Sequence, residues 1–162
     1  MENIDRINQY VQTIINGFKA INEIKYIISK DLVWLEKNFN NLSKLLEMKK
    51  STPTFRHFLI EYLAKTYAQV IPVLRVGRYI EQQGISIWNL SDIPINKMEI
   101  VARSGVKWSD DVKFDLEVLG YNDLLLSYPP KKKRNNVIND LKHKYEKKKN
   151  SSTTKKKIRS SV

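Results

Sequence analysis

The net positive charge of this chain is concentrated at one end, and that concentration sets how much of it can form a folded body. Residues 131–162 carry 13 Lys/Arg and 2 Asp/Glu, a net of +11. The preceding 130 residues carry 16 Lys/Arg and 15 Asp/Glu, a net of +1. The total of +12 therefore belongs to a nearly neutral body with a cationic arm. Such an arm attracts polyanions through counterion release, with little sequence preference. Any selectivity must come from the body.

A body of this length fits one domain, or one domain with an extended helix. Hydrophobic residues make up 41% of the chain, enough for a real core. The absence of cysteine excludes disulfides and thiolate chemistry. The start, Met1-Glu2-Asn3-Ile4-Asp5, has no secretory pattern, and no apolar run is long enough to span a membrane. The expected location is cytoplasmic and nucleoid-associated, or nuclear in a eukaryotic host. Pro130-Lys131-Lys132-Lys133-Arg134 resembles a short nuclear import signal.

Apolar spacing predicts an all-α fold, a multi-helix bundle. Ile4, Ile7, Val11, Ile14, Phe18 and Ile21 follow a 3-4 alternation, and Ile28 returns seven residues later. This is close to a coiled-coil seam. Tyr10, Ile15, Ile24 and Ile27 widen it toward the stripe of a helix packed on a core. Core packing is the first expectation. A homodimer contact through Ile7, Val11, Ile14, Phe18 and Ile21 is the alternative. A second helix is expected through Trp34, Leu35, Phe39, Leu42, Leu45 and Leu46, stopping near Lys49-Lys50. These N-terminal helices fill residues 1–50.

The segment 51–130 opens with Ser51-Thr52-Pro53-Thr54, a breaker and cap. A helix over Phe55–Lys65 follows, then one from near Ile71 to Gln83, since Pro72 suits a first turn and Gly84 a C-terminal stop. Ser91-Asp92-Ile93-Pro94, Ser109-Asp110-Asp111 and Asn122-Asp123 each open a short helix, and Ile85–Trp88 reads as a short strand or extended link. Tyr128-Pro129-Pro130 closes the body. In the arm, Val137, Ile138, Leu141 and Tyr145 form one helical stripe, and the Ser/Thr/Lys-rich remainder is expected to be disordered when free.

Two helices joined by a tight turn, Phe55–Lys65 and Ile71–Gln83, have the lengths of a helix-turn-helix. On the second, Val73, Val76, Gly77 and Ile80 share a face suited to packing on the first. Arg75, Arg78 and Gln82 share the opposite face, and Gln69 precedes them in the turn. Arg and Gln are the residue types that bind guanine and adenine bidentately in the major groove. The plain alternative is a charged face that serves solubility.

The stretch Tyr67-Ala68-Gln69-Val70-Ile71-Pro72-Val73-Leu74-Arg75-Val76-Gly77-Arg78 resembles the helix-turn-helix of plasmid-maintenance and phage DNA-binding proteins. Phe55-x-x-Phe58 matches the opening of their motif and Leu74-Arg75-Val76-Gly77 its close. The chain lacks the usual Ser/Thr of the turn and has Pro72 where that family has a polar residue. The resemblance implies a role on DNA in partition, replication control or transcription control. The expected DNA-binding set is Gln69, Arg75, Arg78 and Gln82, with Lys131, Lys132, Lys133 and Arg134 supplying phosphate affinity. The rival expectations are a helical RNA-binding or nucleic-acid packaging protein, and a protein-interaction adaptor.

No enzyme chemistry is expected. His57 reads as a packing residue and His143 as solvated among lysines. Asp110-Asp111 reads as helix-capping acid rather than a metal site. There is no phosphate loop and no zinc motif, so no cofactor and no metal are expected. Trp34, Trp88 and Trp108 are candidate stacking platforms for single-stranded nucleic acid, with core packing favoured for each.

Overall fold

The computed structural model describes residues 2–48 and 53–131, and the chain divides into Met1–Tyr128 and Pro129–Val162. Seven helices make up the first unit: α1 (Glu2–Lys37), α2 (Phe39–Leu45), α3 (Phe55–Leu63), α4 (Tyr67–Gln83), α5 (Ile95–Ser104), α6 (Asp110–Val118) and α7 (Tyr121–Ser127). The described residues contain no strand. Ile87–Leu90 forms a 3-10 turn, where a short strand or extended link was expected over Ile85–Trp88. No described helix is long and apolar enough to cross a membrane.

Three helix boundaries differ from the sequence reading. The first two expected helices are largely one, because α1 continues unbroken through Trp34 to Lys37. It ends at Asn38, whose side chain donates to the Trp34 carbonyl at 2.8 Å and competes with the helical ladder. The short α2 follows. The third helix ends at Leu63, because Ala64 takes a left-handed conformation with φ 50°. The fourth starts at Tyr67 rather than near Ile71. Thr66 caps it, and Pro72 lies inside it. The missing Pro72 N–H frees the Ala68 carbonyl, and both residues are exposed, so water can serve that carbonyl.

Some of the other punctuation works as read, but Asn122-Asp123 lies inside α7, which starts at Tyr121 with Gly120 as its N-cap. Gly84 and Gly105 close α4 and α5 with φ of 65° and 66°, values a side chain resists. The Ser109 hydroxyl accepts from the Val112 N–H at the start of α6. Lys49-Lys50 and Ser51-Thr52 lie outside the described residues. So do His143, Lys132, Lys133, Arg134 and the stripe Val137, Ile138, Leu141 and Tyr145.

Helices α1 and α4 organise the core. The C-terminal half of α1 gives Tyr26 to one apolar cluster and Leu32 and Val33 to another. Helix α4 spans the same two clusters, with Val76, Tyr79 and Ile80 in the first and Val70 and Leu74 in the second. The first cluster is completed by α5, α6 and α7 through Met98, Ile100, Val101, Val112, Leu116 and Leu124. The second is completed by Phe58 and Leu59 of α3. Where α4 crosses α1, Gly77 lies against the Ser29 backbone.

A polar latch fixes α1 to the segment before α5. The Asn22 amide donates to the carbonyls of Ser91 at 2.9 Å and Ile93 at 2.7 Å, and its oxygen accepts from the Ile95 N–H at 3.2 Å. One turn later the Tyr26 hydroxyl donates to the Ile93 carbonyl at 2.6 Å. These bonds satisfy backbone groups that a non-repetitive segment would otherwise bury unpaired.

From Asn3 to Ile21 every residue of α1 is exposed. Core packing was the first expectation for this stripe, and within the body the core takes only the face after Ile21. Helix formation here is local and amphipathic, while the buried face starts at Asn22.

Candidate nucleic-acid interface

Helix α4 is the middle helix of the body, and its position decides what its polar residues can do. No residue from Val73 to Ile80 is fully exposed. The face carrying Val76, Gly77 and Ile80 packs on α1 and the first cluster, rather than on α3 as the sequence suggested. Val73 alone of that face packs against the cluster containing Phe58 and Leu59. The reason is Gly77, whose missing side chain lets the α1 backbone approach.

Arg78 reaches α1. Its Nε donates to Glu36 Oε1 at 2.9 Å and its Nη2 pairs with Glu36 Oε2, a bidentate fork. Hydrogen bonding to Glu36 raises the Arg78 pKa further above its ordinary value, against a smaller lowering by burial. Arg75 reaches α5 instead, where its Nη1 pairs with Glu99, a carboxylate only 14% exposed. Arg103 also approaches Glu99, at 3.7 Å. The two arginines are therefore neutralised by carboxylates from two different helices. Their guanidinium groups hold donors in the protein that a guanine contact would require.

Gln69 is a capping residue. The Thr66 hydroxyl accepts from its N–H at 3.3 Å, and its side-chain oxygen accepts from the Thr66 N–H at 3.0 Å. Thr66 thus serves as the N-cap of α4. Gln82 is exposed near the end of α4, and Lys131 is exposed at the end of the described residues. Gln69 and Gln82 stand near opposite ends of α4.

His57 serves the neighbouring helix. Its Nδ1 accepts from the Thr54 N–H at 3.2 Å while its own N–H donates to the Thr54 hydroxyl. This is a capping box with histidine in the place of the usual Glu, a role that the packing reading missed. The Arg56 guanidinium lies 4.6 Å from the centre of the Tyr67 ring and ties α3 to α4.

Two tryptophans differ from their expected burial. Trp34 is 58% exposed and Trp88 68% exposed, and both line a groove of about 310 Å³. Val33, Ile80, Ile85 and Ile87 floor it, with Lys30 and Lys37 also on its lining. Lys37 pairs with Glu81 at 2.6 Å. Trp108 packs against the first cluster as expected. The sequence separates the first two indoles by more than fifty residues, so only the fold unites them. Among the described residues no group of three or more His, Asp or Glu is placed to hold a metal.

No protein-family model, no curated protein and no solved structure matches this chain.

Proposed function

We propose that this protein binds nucleic acid chiefly through its basic segment, residues 131–162, and that the helical body carries and positions that segment. The observation that carries the reading is the charge division, +11 in the segment against +1 in the body. The pairing of Arg75 with Glu99 and of Arg78 with Glu36 supports it, because it leaves α4 with little free positive charge. Affinity is then phosphate-driven and tolerant of sequence. Base reading by α4, the narrower expectation, has to compete with these ion pairs, above all with the two-donor fork of Arg78 on Glu36.

A chain ending at Pro130 tests this. Its affinity for duplex DNA falls at least about tenfold at physiological salt, and the slope of log affinity against log salt moves toward zero. An unchanged slope places the phosphate contacts in the body and overturns the proposal.

The exposed Trp34 and Trp88 favour a second reading, in which the polyanion is single-stranded and bases stack in their shared groove. Single-stranded oligonucleotides then quench tryptophan fluorescence, and Trp34→Ala and Trp88→Ala each weaken single-strand binding while sparing duplex binding. Equal single-strand binding by wild type and both variants removes this reading.

A further inference from the structure

From Asn3 to Ile21 helix α1 is exposed, and its pattern specifies an occupant. We infer that α1 pairs with α1 of a second copy of this chain, antiparallel, over residues 4–21. The inference goes beyond nucleic-acid binding and does not rest on it.

Area is the first argument. Eight large apolar side chains between Ile4 and Ile21 remain 47% to 70% exposed. At roughly 100 Å² apiece they expose on the order of 800 Å², above the patch a typical monomer leaves bare and close to one partner's share of a standard interface. The patch is also ordered as a seam. Ile4, Val11 and Phe18 occupy one heptad position, and Ile7, Ile14 and Ile21 the other. The opposite face carries Asp5, Arg6, Gln9, Gln12, Thr13, Asn16 and Lys19.

The direction follows from what lies at each end. The body takes hold of α1 at Asn22, so the free length runs from Ile4 to Ile21, about 26 Å at the helical rise. An antiparallel pair aligned over that length places each body beyond the end of the other helix. Its layers are Ile4 with Ile21, Ile7 with Phe18, and Val11 with Ile14, all apolar. In the same register Tyr10 of one copy lies beside Gly17 of the other, and a side chain at Gly17 would meet nothing within 4 Å in the single chain. This gives a physical account of a helix-interior glycine that otherwise only weakens the helix.

Charge points the same way. Lys25 continues the heptad position of Ile4, Val11 and Phe18. Parallel helices would set Lys25 against Lys25 across the seam. An antiparallel pair keeps the two Lys25 side chains at opposite ends of the shared length. A cavity of about 430 Å³ lies at the Ile21 end, lined by Phe18, Ile21, Lys25, Asp92 and Pro94 among others. It is placed to receive the N-terminal turn of the second helix.

The full chain has no cysteine, which makes a directional test direct. One preparation carries Ile4→Cys and another Ile21→Cys. Mixed and treated with a short bismaleimide, they cross-link to each other, and neither cross-links to itself. Self-linking of the Ile4→Cys chain shows parallel pairing and overturns the inference. Sedimentation of the wild-type chain as a monomer at tens of micromolar overturns it too, and would leave the stripe to another occupant. Ile14→Asp, at a site 57% exposed and outside the body's core, converts the dimer to a monomer with the melting of the body unchanged. Retention of the dimer by that variant places the contact elsewhere and overturns the inference.

Discussion

A side chain at Gly77 would stand 2.2 Å from the backbone oxygen of Ser29, with the Ser29 carbonyl carbon and a Val33 methyl each at 2.8 Å. That approach fixes the crossing of α1 and α4. Two of the three obstructing atoms are backbone and cannot turn aside as a side-chain tip would. Gly77→Ala therefore forces the helices apart and disturbs both apolar clusters at once. The expected loss is about 3 kcal/mol, at the upper end of overpacking costs. Denaturant unfolding checks it through the midpoint. A midpoint within error of wild type would mean that the crossing is loose.

Three tyrosines make the body sensitive to alkali. Burial pushes the Tyr79 hydroxyl up to about 12 while it donates to the Val106 carbonyl at 2.8 Å. Burial, and then Asp115, push Tyr128 up to about 12 as well. Burial raises Tyr26 further still. Unfolded tyrosines ionise near 10, so above that pH the unfolded chain has released protons that the folded chain retains. Their contribution is intact below pH 10 and is lost as pH rises through about 12. Tyr79→Phe lowers stability at pH 8 by about 1 kcal/mol for the lost hydrogen bond and flattens the fall between pH 10 and 12. Parallel unfolding curves of the two proteins over that range would show that Tyr79 does not titrate with unfolding.

Much of the helical layout was legible because its signals are local. The apolar period of Ile4 to Ile28, the serine before Asp110 and the glycines at 84 and 105 each act within a turn or two of themselves. The errors lie where two local signals compete. Pro72 suggested a helix start near Ile71, but the Thr66 and Gln69 capping box set the start four residues earlier, at Tyr67, and the proline was accommodated at an exposed position. The candidate site was less legible. Arg75 and Glu99 are 24 residues apart, and Arg78 and Glu36 are 42 apart. No periodicity links such pairs. A helix face that looks free in sequence can be occupied by carboxylates from elsewhere, as this one is. The Ile stripe is the converse case. Its spacing was plain, yet only the position of Asn22 against Ile93 shows where the body ends and the unpartnered length begins.

The two arginines of α4 offer the sharpest division between the readings of this protein. With the basic segment as the source of affinity, Arg75→Ala and Arg78→Ala act on stability. Each pair is partly exposed, with the guanidinium side chains at 36% and 38%, so screening holds the expected loss to about 1 kcal/mol apiece. Duplex affinity then stays within about twofold of wild type on every sequence. A direct guanine contact predicts otherwise. Alanine would cost about 1–3 kcal/mol on a preferred site and relax the preference at one position. Glu36→Gln sharpens the comparison, because it weakens the hold on Arg78 and leaves the guanidinium in place. Under the segment-driven reading it lowers stability without a gain in binding. Under base reading it raises affinity, since Arg78 no longer has to be drawn from a charged partner. Fluorescence anisotropy on duplexes of varied sequence, run beside unfolding curves of the same proteins, separates the two effects. Sequence-dependent loss in either alanine variant would return α4 to the role of the reading helix.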